Sequence, residues 1–225
     1  MTAPTGYGGR FLPKQDFEGD DHTPGALGHW VTCVDSAVGR MVSWATNGRI
    51  DKDGSVYRSN LTPPDPDGLT LSQAVIEVSR VAKLRLVLPH WGQREVLANL
   101  VQGHGLIITG VYSTIPAEYR YQASADFSHA MFVCYIDSTG LYGRLYDPLD
   151  RNLGHYGRWV PMTILFPFIK SGNYRVGYVP LEPLVVAKPI DIMVPPKATP
   201  SKTTSLNDPL NPYPNQDARS KALPE

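Results

Sequence analysis

Residues 129–148 read HAMFVCYIDSTGLYGRLYDP, and this stretch decides the fold class. Residues 130–136 form an apolar and aromatic run of strand length. Asp137-Ser138-Thr139-Gly140 supplies turn chemistry, residues 141–146 return as the partner strand, and Pro148 stops it. A hairpin sets the start of its first strand beside the end of its second. His129 opens the first strand and Asp147 closes the second, so an imidazole and a carboxylate 18 positions apart are expected to meet by local folding. His129, at the rim of the sheet, is expected to be partly exposed. Cys134 has the opposite strand parity and is expected to point into the core.

Working outward, residues 105–112 (GLIITGVY) read as another buried strand, residues 162–169 as a short helix and residues 174–179 as a last strand. Toward the N-terminus the period changes. Val34, Val38, Met41, Val42 and Ala45 recur at three and four, and Asn47-Gly48 stops that helix. Residues 51–68 form a polar insertion with turn signals. Thr70-Leu71-Ser72-Gln73 matches a capping box and opens a helix carrying Leu71, Ala74, Val75, Val78 and Val81 on one face. Residues 84–88 read as a strand ending at Pro89, and residues 94–102 as a third helix. Helices first and antiparallel strands second predict an α+β domain, with N-terminal helices packed on an antiparallel sheet. Trp30, Trp44, Trp91 and Trp159 lie in patterned segments and are expected in the core.

The chain has 225 residues, with 21 basic and 21 acidic side chains. A neutral balance argues against a broad electrostatic grip on nucleic acid. No apolar run reaches the roughly 20 residues that span a bilayer, and residues 1–9 lack the basic and apolar regions of a signal peptide. Synthesis in the cytoplasm is therefore expected. Two cysteines make no disulfide framework, although a Cys33–Cys134 pair stays open. Proline is in excess, and nine of the 21 fall in residues 183–225. The expected organisation is a loop-like arm over 1–28, a domain over 29–182, and a proline-rich extended tail over 183–225. The tail is expected to bind protein partners, with Leu206, Leu210 and Tyr213 as anchors.

Cys33 sits at the N-terminal edge of the first helix, where the dipole and the unpaired amides favour thiolate. Cys33, His129 and Asp147 thus offer a nucleophile, a base and an orienting acid. Asp20-Asp21-His22 offers metal-ligand atoms, but its surroundings read as loop. Asp51-Lys52-Asp53-Gly54-Ser55 lacks the spacing of a calcium loop. No metal or other cofactor is expected.

With these residues in view, residues of about 30–180 resemble the papain-like cysteine peptidases, in particular those that remove double-glycine leaders from bacteriocins. The resemblance rests on TCVDSAVGRMVSWATNG around Cys33, the GHGLIITGVYS strand, His129 opening HAMFVCYID, and LYGRLYDP supplying the acid. It implies a papain-like fold and hydrolysis of a peptide bond, in a protein or in cell-wall peptidoglycan, through Cys33, His129 and Asp147. Two positions depart from the family pattern. Val34-Asp35 stands where Gly-Pro is usual, and Leu27 stands where the family's oxyanion glutamine falls. Gln15 and His29 are the candidate replacements. The extended ends also resemble tail-associated proteins of phages that infect actinobacteria, which implies incorporation into a virion. The alternative reading is an inactive papain-like domain that serves as a minor tail protein, held by its C-terminal arm. A transferase or deamidase on the same scaffold is the third class.

Overall fold

The computed structural model describes residues 10–13, 32–58, 69–120, 126–149 and 157–182. The chain divides into units Met1–Val185 and Val186–Glu225, and every described residue belongs to the first. Leu206, Leu210, Tyr213, Gln15, His29 and the Asp20-Asp21-His22 cluster lie outside the described residues.

Helix α1 (Cys33–Ala45) is followed by the short α2 (Ser55–Arg58), then α3 (Leu71–Ala82) and α4 (Gln93–Val101). Strands β1 (Leu106–Val111), β2 (Ser128–Ile136), β3 (Tyr142–Tyr146) and β4 (Arg158–Pro161) come next. Helix α5 (Met162–Ser171) and the two-residue β5 (Val176–Gly177) complete the order. The strands form one antiparallel sheet in the order β4-β3-β2-β1-β5.

Alternation along the strands distributes the core to both faces. Ile107, Ala130, Phe132, Cys134 and Tyr146 pack with α1 and α3, around Val38, Met41, Trp44, Ala74 and Val78. Leu106, Ile108, Met131, Val133 and Leu145 pack with α4 and α5, around Val96, Leu100, Leu165 and Phe168. Helix α4 therefore covers the face opposite α1.

The local signals act as their chemistry dictates. Helix α1 ends at Asn47 and Gly48, both at positive φ (52° and 79°). The capping box is formed: Gln73 N–H donates to Thr70 Oγ1 at 3.2 Å, and Thr70 N–H donates to Gln73 Oε1 at 2.7 Å. In the β2–β3 turn, the amides of Leu141 and Tyr142 both donate to Asp137 Oδ1 at 2.9 Å. Strand β2 carries a bulge at Tyr135, where φ is +56° and the register shifts.

Several expectations need correction. Residues 84–88 form no strand, only a single bridge from Val87 to Tyr178, because Pro89 has no N–H to extend the ladder. The last strand shrinks to Val176–Gly177, since its neighbour on that side supplies only the isolated bridges Val87–Tyr178 and His90–Arg175. Helix α2 lies within the insertion read as turns, and β4 arises from pairing with β3. Trp44 is fully buried, but Trp159 is 47% exposed beneath the Arg144 guanidinium. Among the described residues, no helix is long and apolar enough to cross a membrane.

Candidate active site

The hairpin register explains how His129 meets Asp147. Phe132 pairs with Tyr146 and Val133 with Leu145, so continuing the register sets Asp147 opposite Met131. His129 and Asp147 are then diagonal neighbours on one face, within reach of their side chains. His129 Nε2–H donates to Asp147 Oδ1 at 2.9 Å. The same oxygen accepts the Leu149 amide at 3.0 Å, and Oδ2 accepts the Tyr112 hydroxyl at 2.7 Å.

The pair is buried, contrary to the expected partial exposure of His129: the imidazole is 3% exposed and Asp147 0%. Aromatic rings from two directions are the cause. Tyr112 and Phe127 both meet the imidazole edge-on, at 4.7 Å and 5.8 Å between centroids, and they stack on each other. Phe127 remains 40% exposed, so it forms the outer cover.

Burial alone disfavours charge on both groups, and each overcomes it through the other. Burial pushes His129 down, but the Asp147 carboxylate, followed by the Cys33 thiol, raises it to about 10. Burial pushes Asp147 up, but His129 and the Tyr112 hydroxyl hold it below the ordinary carboxyl range. The pair is therefore an imidazolium–carboxylate couple near neutral pH.

Cys33 is the first residue of α1, and its thiol is among the groups that raise the His129 imidazole. Nε2 is committed to Asp147, and Nδ1 is buried with no hydrogen-bond partner among the described residues. Nδ1 is the ring nitrogen left for the thiol. Cys33 and His129 line one cleft of about 320 Å³, between the start of α1, the ends of β1 and β2, and the segment after α5. Both cysteines are free, so no disulfide joins Cys33 to Cys134, and Cys134 is fully buried as expected.

Asp35, two positions past Cys33, is 1% exposed. Its Oδ1 accepts the Leu69 amide at 3.2 Å, and its Oδ2 lies 3.2 Å from Arg58 Nε. It fixes the first turn of α1 to α2 and to the start of α3. Sequence reading missed Asp35, Tyr112, Phe127 and Arg175, the last of which also lines the cleft. A usable signal existed for Tyr112, because a phenol that ends a buried strand must find a partner for its hydroxyl.

No protein-family model and no curated protein matches the chain. A solved structure of a candidate C39-like peptidase from Bacillus anthracis is similar to it, at 13% identity and a TM-score of 0.47, over 66% of this chain and 88% of that one. The comparisons give no support to the expected virion or phage-tail role.

Proposed function

We propose that the chain is a thiol hydrolase that cleaves amide bonds in peptides through Cys33, His129 and Asp147. The observation that carries the reading is the His129–Asp147 hydrogen bond within one hairpin, with Cys33 at a helix start lining the same cleft as His129. His129 holds the proton that the Cys33 sulfur gives up, and the sulfur bonds to the substrate carbonyl carbon. The tetrahedral adduct collapses as the carbon–nitrogen bond breaks, and His129 returns the proton to the leaving amine. Water then attacks the acyl-enzyme with His129 as base, which releases the acid and restores the thiol. Asp147 holds the ring with Nε2 protonated, so that Nδ1 faces the sulfur. The first-turn amide of Cys33 is the oxyanion donor supplied by α1. Gln15 or His29 is the second donor in this reading.

Cys33→Ala should abolish release of new amino termini from casein or from peptidoglycan stem peptides while circular dichroism and Tm stay near wild type. Retained turnover in that variant would remove the hydrolase reading. If wild type itself turns over no amide, the inactive scaffold reading, with residues 183–225 as a strap to a larger assembly, takes its place.

A further inference from the structure

The walls of the cleft bear on which peptides fit. Thr109, Gly110, Ser128, Ala130, Ser171 and Gly172 line it with small side chains or none. Against this wall stands Arg175, immediately before β5. Its Nη2 donates to Ser72 Oγ at 3.0 Å, next to the cleft residue Leu71. The guanidinium thus reaches from β5 to the first turn of α3, beside the cleft.

Ser72 is a neutral acceptor. Among the described residues no carboxylate lies within ion-pair distance of Arg175. The remaining cleft residues, Cys33 and His129 aside, carry no titratable side chain, so Arg175 sets the sign of the cleft outside the catalytic pair. Among the described residues its side chain has one hydrogen-bond partner, Ser72, which leaves donors in the fork that a carboxylate fills with two parallel hydrogen bonds.

We propose that Arg175 binds a carboxylate of the substrate. The cleft then favours peptides that carry a carboxylate near the scissile amide, either an acidic side chain or the chain end. This rests on Cys33 being the nucleophile of the same cleft. Arg175 is a binding residue in this scheme and takes no part in proton transfer.

Two alkylating agents of similar size test the charge without any need for turnover. Iodoacetate is itself a carboxylate and iodoacetamide is its neutral counterpart. With both, the Cys33 sulfur bonds to the methylene carbon and iodide leaves. The ratio of the iodoacetate to the iodoacetamide rate constant at Cys33 should fall about threefold in Arg175→Gln at low ionic strength, the order of effect that one nearby charge has in a water-like medium. Added salt should shrink that difference. Arg175→Lys should keep most of the ratio. Lys83→Gln, about 16 Å away at the far end of α3, should leave it unchanged. An unchanged ratio in Arg175→Gln overturns the proposal, whether another carboxylate already occupies the guanidinium or the guanidinium faces away.

Paired peptides then identify the source of the carboxylate. An internal Glu peptide against its Gln counterpart, and a free C-terminus against its amide, should differ in KM in wild type and converge in Arg175→Gln. If wild type cuts neither pair, the hydrolase reading fails, and the alkylation ratio still decides the role of Arg175.

Discussion

The Tyr112 hydroxyl donates to Asp147 Oδ2 at 2.7 Å, while Oδ1 of the same carboxylate holds the His129 imidazole. The donor stabilises the charged carboxylate in a site with no access to water. Tyr112→Phe removes it and should lower stability by about 1–3 kcal/mol. It should also raise the proton affinity of Asp147, so the acid limb of the kcat/KM profile moves to higher pH. A stability loss with an unmoved acid limb would reduce Tyr112 to a packing residue.

Asp147→Asn keeps the shape of the orienting group and removes its charge. The imidazolium that forms as the thiol loses its proton is then uncompensated. By analogy with other triads, kcat should fall about 10³–10⁴-fold, while KM for a short peptide changes little. A fall of less than tenfold would show that the carboxylate does not hold the working tautomer.

The buried couple makes stability depend on pH from both sides. Asp147 is held low, so its contribution is present above the unfolded carboxyl value of about 3.9 and is lost as pH falls through the lower folded value. His129 is held high, so its contribution is complete below about 6.5 and is lost as pH rises through about 10. Urea unfolding should therefore show stability declining across that alkaline window. His129→Gln should flatten the decline, and an equal slope in the variant would assign it to other groups.

The two thiols should behave differently. Cys33 is half-buried at the cleft, whereas Cys134 is 0% exposed and burial pushes its thiol above the ordinary range. Iodoacetamide near neutral pH should modify Cys33 in the native protein and reach Cys134 only after denaturation. Mass spectrometry of the two cysteine peptides over time gives the answer directly.

Asp35 and Arg58 form an ion pair whose side chains are 1% and 10% exposed. Asp35→Asn leaves the guanidinium in a buried place without its counter-charge and should cost about 3–5 kcal/mol. Exchanging both, as Asp35→Asn with Arg58→Met, should cost less than the single change. An additive result would mean that the two act independently.

Gly110 sits on the cleft wall opposite His129, where β1 meets the end of α5. A Cβ there would lie 2.0 Å from the Phe168 carbonyl oxygen, so Gly110→Ala must push α5 away from the sheet. The expected cost is about 1–3 kcal/mol, read as a lower Tm, together with reduced protection of the α5 amides from hydrogen exchange.

Legibility in the sequence follows the distance over which each feature is decided. His129 and Asp147 share one hairpin, so period and turn chemistry suffice to bring them together. Helix α1 is legible for the same reason, because its apolar period and its Asn47-Gly48 stop are local. Tyr112 is not, because the target of its hydroxyl depends on the β1–β2 register that pairs Val111 with Ser128. The burial of His129 escaped notice because the covering Tyr112 ring comes from the far end of β1. Arg175 meets Ser72 across 103 positions, a contact that only tertiary packing creates. Strand β4, four residues ending in Pro161, has little strand character of its own and exists through β3.

Asp35 grips both Arg58 and Leu69, the two residues that bracket positions 59–68. Both anchor points thus share one carboxylate, two residues from Cys33. The first turn of α1 is thereby clamped to two points of the chain eleven positions apart, so the place of Cys33 at the head of that helix rests on a single neighbouring side chain.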